Sequence, residues 1–271
     1  MVKENIQLYC GDCLDILPTI QNNSIDCVIT SPPYDNIRTY GDTLEWDFNI
    51  FKKVADQLTR VIADGGVIVW VVNDATVDGS ETLTSFKQAI YFKEECGLNV
   101  HDTMIYMKHN PLPNAGNRYQ QSFEYMFVFS KGKPKTVHLQ MVPRRNATGD
   151  KRTERILTRN RNIDGSTGEY HYTKINEFVP KQNVWEYLIG GGNSTQDKIA
   201  FQHPAIFPEQ LVVDHLLSWT DEGDIVLDPF MGSGTTGKMC DAYNRKFIGI
   251  EKNPEYFDIA KKRIYSANPL W

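Results

Sequence analysis

The chain has 271 residues, 41% hydrophobic and 23% charged, enough for one large α/β domain or a domain with a sizeable insertion. No apolar run approaches the roughly 18 residues needed to span a bilayer, and MVKENIQLYCGD at the start carries no signal-peptide pattern, so an intracellular, cytoplasmic protein with no membrane partner is expected. Net charge is −5, yet Lys131 to Lys174 holds 11 Lys and Arg against 4 Asp and Glu, a local +7 inside a remainder of −12, which is an electrostatic footprint for a polyanion.

In chain order, NIQLYC reads as a first strand. CGDC follows at 10–13. Five cysteines (Cys10, Cys13, Cys27, Cys96, Cys240) make an odd set unsuited to a disulfide framework, and without a second CxxC or a spaced His pair no metal is expected. IDCVIT is a second strand, stopped by TSPPYDNIRTYG (30–41), where adjacent prolines forbid both helix and further pairing. In NIFKKVADQLTRVIADGG apolar residues recur at Phe51, Val54, Ala55, Leu58 and Ile62, predicting a helix that stops at Gly65-Gly66. GVIVWVV is a third strand. VHDTMIYM and EYMFVFS, joined only by a Pro/Asn/Gly-rich connection, are expected to pair antiparallel.

From 131 to 180 this rhythm breaks into a polar, Arg-rich stretch, and α/β patterning resumes after NVWEYLIGGGNST. EQLVVDHLLSWT predicts a helix, DIVLDP a strand, GTTGKMCDAY a helix and KFIGIE a strand. Strands alternating with helices indicate a mostly parallel sheet covered on both faces.

DIVLDPFMGSGTTGKM (224–239) contains G-x-x-x-x-G-K from Gly232 to Lys238, close to a phosphate-cradling loop. The next residue, however, is Met239 rather than the Ser or Thr that would ligate magnesium. The loop suits another ligand. Its glycines permit close backbone approach, the following helix offers free N–H groups to a carboxylate, and Asp228 could receive an ammonium group. Glu251, ending KFIGIE, stands where dinucleotide folds place the acid that accepts ribose hydroxyls. A ligand that is part amino acid and part nucleoside is S-adenosylmethionine.

TSPPY and DPFMGSGTTG, in that order with a basic stretch between them, resemble the β group of DNA amino-methyltransferases. HPAIFPEQL (203–211) and GDCLDIL match two shorter motifs of the group. The resemblance implies a Rossmann-like mixed seven-stranded sheet with one antiparallel strand and helices on both faces, circularly permuted, and carrying an inserted target-recognition region. Residues 1–130 would form the catalytic half, 131–180 the recognition region and 181–271 the cofactor-binding half of the same domain. It also implies the site. Ser31, Pro32, Pro33 and Tyr34 would be catalytic, the Ser31 hydroxyl and Pro32 carbonyl accepting from the target amino group while Tyr34 stacks on the flipped base. Asp228, Phe230, Gly232, Ser233, Gly234, Thr235 and Glu251 would bind S-adenosylmethionine, with Asp12, His203, Pro204 and Phe207 lining the same pocket. Arg38, Arg144, Arg145, Lys151, Arg152, Arg155, Arg159 and Arg161 would contact double-stranded DNA.

Ser ahead of PPY resembles the enzymes that methylate N4 of cytosine, where Asp or Asn is typical of N6-adenine enzymes. N6-adenine methylation is the alternative. An RNA or protein-amide methyltransferase, or a catalytically silent DNA-binding module, are further readings. A homodimer and a cognate restriction endonuclease are partners the resemblance allows.

Overall fold

A computed structural model describes residues 3–33, 46–111, 116–144, 156–162, 164–173, 176–190, 192–203 and 206–266. Eight strands form the main sheet: β1 (Ile6–Cys10), β2 (Ile25–Thr30), β3 (Ile62–Val72), β4 (Asn99–Lys108), β5 (Phe123–Ser130), β6 (Val184–Tyr187), β7 (Ile225–Asp228) and β8 (Lys246–Glu251). Their order across the sheet is β1-β8-β7-β2-β3-β5-β4-β6. β5 runs antiparallel to both neighbours, and every other pairing is parallel. The expected antiparallel pair is therefore present, and the sheet has one strand more than the seven expected. The extra strand is β6, an edge strand whose alternation buries Trp185 and Tyr187 while Val184 and Glu186 stay exposed.

Among the described residues six α-helices cover the sheet: α1 (Cys13–Ile16), α2 (Phe48–Val61), α3 (Thr84–Glu94), α4 (Glu209–Trp219), α5 (Thr235–Ala242) and α6 (Pro254–Ser266). Period-two alternation divides the core into two layers. Val67, Val69 and Val71 of β3 join Leu211, Leu216 and Ile264 on one face, and Ile68, Trp70 and Val72 join Phe51, Leu58 and Phe92 on the other. α2 starts where the Asp47 carboxylate accepts the Ile50 amide at 2.8 Å, and it buries Phe51, Val54, Ala55 and Leu58 as the apolar spacing predicted. It ends at Val61, short of Gly65-Gly66. Ile62 already pairs with Ile25, and Gly65 at φ +77° sits within a register shift of β3.

The described chain divides into two compact units, one formed by residues up to His138 and from Asn183 onward, the other by Leu139–Gln182. The second holds two short antiparallel pairs, Met141–Pro143 with Phe178–Pro180, and Ile156–Arg161 with Thr167–Thr173. Lys135 belongs to the first unit, where its ammonium meets Asp26 at 2.6 Å and Asp224 at 3.4 Å, beside the amino ends of β2 and β7. Among the described residues no helix is long and apolar enough to cross a membrane.

Candidate active site

β2 and β7 are parallel neighbours, with Leu227 opposite Val28. From β2 the chain goes on to β3 on one side, and from β7 to β8 on the other. Between them lies the point where strand order reverses, and open α/β sheets bind ligands outside the carboxyl ends of the strands there. The Ser31-Pro32-Pro33 loop leaves one strand and the Gly-rich loop leaves the other, so the two motifs, almost two hundred residues apart in sequence, emerge side by side.

Asp228 joins them. Its Oδ1 accepts from the Thr30 hydroxyl at 2.7 Å and the Phe230 amide at 3.1 Å, and its Oδ2 accepts from the Thr236 hydroxyl at 2.8 Å. Burial pushes the acid up to about 6 even though these three donors favour the carboxylate. The residue expected to receive an ammonium group thus also clasps the end of β2 to the start of α5.

The Gly-rich turn depends on two glycines in the left-handed region, Gly232 at φ +52° and Gly234 at φ +80°. A Cβ on Gly234 would come within 2.8 Å of the Ala260 Cβ, and one on Gly232 within 3.0 Å of the His203 Nε2. Beneath the turn lies Arg263, its side chain 1% exposed. Its guanidinium donates to the Ser233 carbonyl at 2.7 Å, the Ser233 hydroxyl at 3.0 Å and the Thr235 hydroxyl at 3.1 Å. Its charge is met by Glu209 at 3.1 Å and Asp197 at 3.2 Å, and Lys238 reaches the same two carboxylates at 2.8 and 2.7 Å. The lysine that made the loop resemble a phosphate cradle is therefore engaged in an ion network under the loop.

On the far side, the Glu251 carboxylate accepts the Gly232 amide and the Asn253 amide, both at 2.8 Å, and burial raises its pKa above the ordinary glutamate value. Asp12 caps α1 through the Leu14 amide at 2.9 Å and pairs with Lys252 at 2.9 Å. Partial burial pulls its pKa up, and the Leu14 and Lys252 donors outweigh that and hold it below the usual aspartate range. His203 packs edge-on against Tyr256 at 4.4 Å. Phe230 meets Trp46 edge-on at 5.3 Å.

These groups enclose one cavity of about 510 Å³, within the range of small-molecule and cofactor sites. Of the residues singled out from sequence, Ser31, Pro33, Asp12, Asp228, Phe230, Gly232, Ser233, Thr235, Glu251, His203 and Phe207 all line it. Pro32 is buried between two lining residues, and Gly234 stands in the turn behind them. The donor set fits the inferred cofactor. Glycines leave a concave turn that a Cβ would fill, α5 begins at Thr235, and acidic groups stand at the ends of β7 and β8.

Tyr34, Arg38, Arg145, Lys151, Arg152, Arg155 and Pro204 lie outside the described residues. Arg144 is exposed, its guanidinium on the Asn176 carbonyl at 3.2 Å, and Arg159 and Arg161 lie on the strand Ile156–Arg161. Sequence reasoning missed Thr30, Trp46, Lys108, Glu124, Arg263 and Tyr256. Thr30 directly precedes the SPP motif and could have been found there. Arg263 sits in KKRIYS with nothing local to mark it, because its partners come from Asp197, Glu209 and Ser233.

A model of the N6/N4 DNA methylase family matches residues 25–262. An orphan methyltransferase, M.BamHII of Bacillus amyloliquefaciens, is 50% identical over 97% of this chain and 92% of its own length. The type II methyltransferase M.HinfI of Haemophilus influenzae is 29% identical over 99% of this chain and 72% of its own. Among solved structures, the PvuII cytosine-N4-specific DNA methyltransferase superposes with a TM-score of 0.71 at 20% identity, covering 98% of this chain and 89% of that one. The M1.HpyAVI complex with S-adenosylmethionine superposes at 0.60 with 26% identity, covering 96% and 99%.

Proposed function

The chain belongs to the N6/N4 DNA methylase family, and from that premise we propose that it transfers a methyl group from S-adenosylmethionine to N4 of a cytosine flipped out of duplex DNA. The observation that carries the reading is the convergence of the Ser31 loop and the Gly-rich loop on one cavity, with Asp228 bonded to Thr30 just before the first and to Thr236 just after the second. The cofactor supplies an electrophilic methyl group on a sulfonium. All else falls to the chain. An exocyclic amino group is a weak nucleophile because its lone pair is delocalised into the ring. Acceptors aimed at its N–H bonds favour a more tetrahedral nitrogen, and acceptors fixed in advance are not reorganised at the moment of reaction. Ser31 Oγ and the Pro32 carbonyl are those acceptors in this reading, held by the restricted φ of two prolines. Tyr34 supplies a ring face for the base.

Ser31 supports cytosine, since a hydroxyl replaces the acidic or amide side chain typical of adenine enzymes. The Arg-rich unit supports duplex DNA as the partner, with Arg144 among the cations offered to it. Incubating unmethylated duplex DNA with labelled cofactor, digesting to nucleosides and identifying the product by mass spectrometry tests all of this. N4-methylcytosine is expected. Labelled N6-methyladenine overturns the base assignment, and labelled protein beside unlabelled DNA overturns the function. Tyr34→Ala should lose turnover while retaining cofactor binding by calorimetry.

A further inference from the structure

The cavity extends past the two motif loops to a charged pair that neither motif includes. Lys108, the last residue of β4, and Glu124, near the start of β5, face each other with Nζ and Oε1 2.6 Å apart. Because β5 is antiparallel to β4, the start of one and the end of the other lie at the same edge of the sheet, the edge that carries the site. Both residues line the cavity, and their side chains are only 18% and 10% exposed. Tyr106 beside them is buried, with the Lys108 ammonium 5.9 Å from its ring centre.

Two arguments point to a ligand. Burying an ion pair carries a desolvation penalty that an apolar pair of equal volume avoids, so the pair is weakly explained by stability alone. Its place in the sheet supplies the second. The residues assigned to the cofactor belong to β7, β8 and β1 on one side of β2, whereas Glu124 and Lys108 stand on the other side, beyond β3. Two strand spacings separate β2 from β5, about 10 Å, close to the room a pyrimidine ring and its contacts require.

We propose that Lys108 and Glu124 form the far wall of the target-base subsite, with the Lys108 ammonium donating to the 2-carbonyl oxygen of the flipped cytosine. This rests on the cytosine reading above. In cytosine the 2-carbonyl lies on the same edge of the ring as the amino group, with N3 between them. With N4 held at Ser31 and Pro32 and that edge running toward β5 and β4, the carbonyl is its far acceptor. An ammonium has three N–H donors, so it can serve a carboxylate and a carbonyl together. Glu124 is the positioning residue. It holds the ammonium in place and compensates its charge, so that the cation does not draw electron density from the nucleophilic amino group. The same compensation disfavours anions, which argues against a phosphate or the cofactor carboxylate as the occupant.

The test uses the full chain with both charges removed, Lys108→Met with Glu124→Met, because removing one partner would leave a buried unpaired charge. The double variant should bind S-adenosylmethionine by calorimetry as the parent does. Its kcat/KM for duplex DNA should fall on the order of 10- to 100-fold, the range for losing a hydrogen bond to a charged donor. Once the modified site has been mapped, a duplex whose target pyrimidine lacks the 2-carbonyl should slow the parent by a similar factor and leave the double variant indifferent. Methylation by the variant at the parent's rate overturns the inference. So does loss of cofactor binding alongside loss of methylation, or an analogue that slows both proteins equally. Failure of the underlying reading is seen in the parent alone, as N6-methyladenine or as no methylated base.

Discussion

The loop after β2 and the loop after β7 leave adjacent strands that the Asp228 carboxylate ties together through Thr30, and both face one cavity, yet they are stiffened by different means. The Ser31-Pro32-Pro33 loop has its rigidity in its own covalent structure, since each proline ring restricts φ whatever surrounds it. The Gly-rich loop is made of residues that by themselves hold no conformation. Its shape comes from outside: Arg263 beneath Ser233 and Thr235, Glu251 on the Gly232 amide, and Ala260 closing the space beside Gly234. A loop that cradles a ligand needs absent side chains on its inner surface, so stiffness has to be imported through the backbone. A loop that leaves its strand through two prolines can carry its stiffness in sequence.

The sharpest way to break this contrast is Arg263→Ala. It would strip three hydrogen bonds from the Gly-rich turn and leave Glu209 and Asp197 short of a buried cation, destabilising the fold by about 3–5 kcal/mol in urea unfolding. Next is Gly234→Ala, where a left-handed backbone and contacts of 2.8 and 2.9 Å to Ala260 combine to about 2–4 kcal/mol, with cofactor affinity falling in calorimetry. Third is the clasp. Thr30→Val keeps the shape but removes one donor from a buried carboxylate, an expected loss of about 1–3 kcal/mol, and it should move the Asp228 pKa further upward.

The same acid gives the parent protein a pH signature. Its pKa rises from 3.8 unfolded to about 6 folded, so between those values the native state holds a proton that the unfolded chain has lost. Raising the pH through that window therefore reduces stability, with a slope approaching about 1.4 kcal/mol per pH unit from this group. Asp228→Asn should flatten that part of a stability-against-pH curve. The smallest effect is expected for Pro33→Ala. Stability should drop by only about 0.4–1 kcal/mol, through a freer unfolded chain, while methylation falls further than the unfolding curve alone explains.

Much of the site was legible because its residue types are locally informative. Paired prolines at a strand end, glycines between a strand and a helix, and an acid closing the next strand each carry a physical constraint that needs no partner to be recognised. The residues that went unread act only through partners distant in sequence. Glu124 lies in EYMFVFS as one polar residue of a buried strand, and its meaning depends on Lys108 across the antiparallel pair. Trp46 reads as one more aromatic until it meets the edge of Phe230. β6 was too short to stand out, and only the open edge of β4 gave it something to pair with.

By itself the sequence determined the class of sheet, the antiparallel pair, the two loops and the chemistry they invite, because hydrophobic period and backbone restriction act within a few residues. Tertiary structure decided that these loops emerge together where strand order reverses, that Asp228 clasps one to the other, and that a buried arginine gives the glycines their shape. The physical reason is range. Proline geometry and strand periodicity are properties of a segment, whereas burial, a raised carboxyl pKa and a compensated charge are properties of whatever the fold brings alongside it.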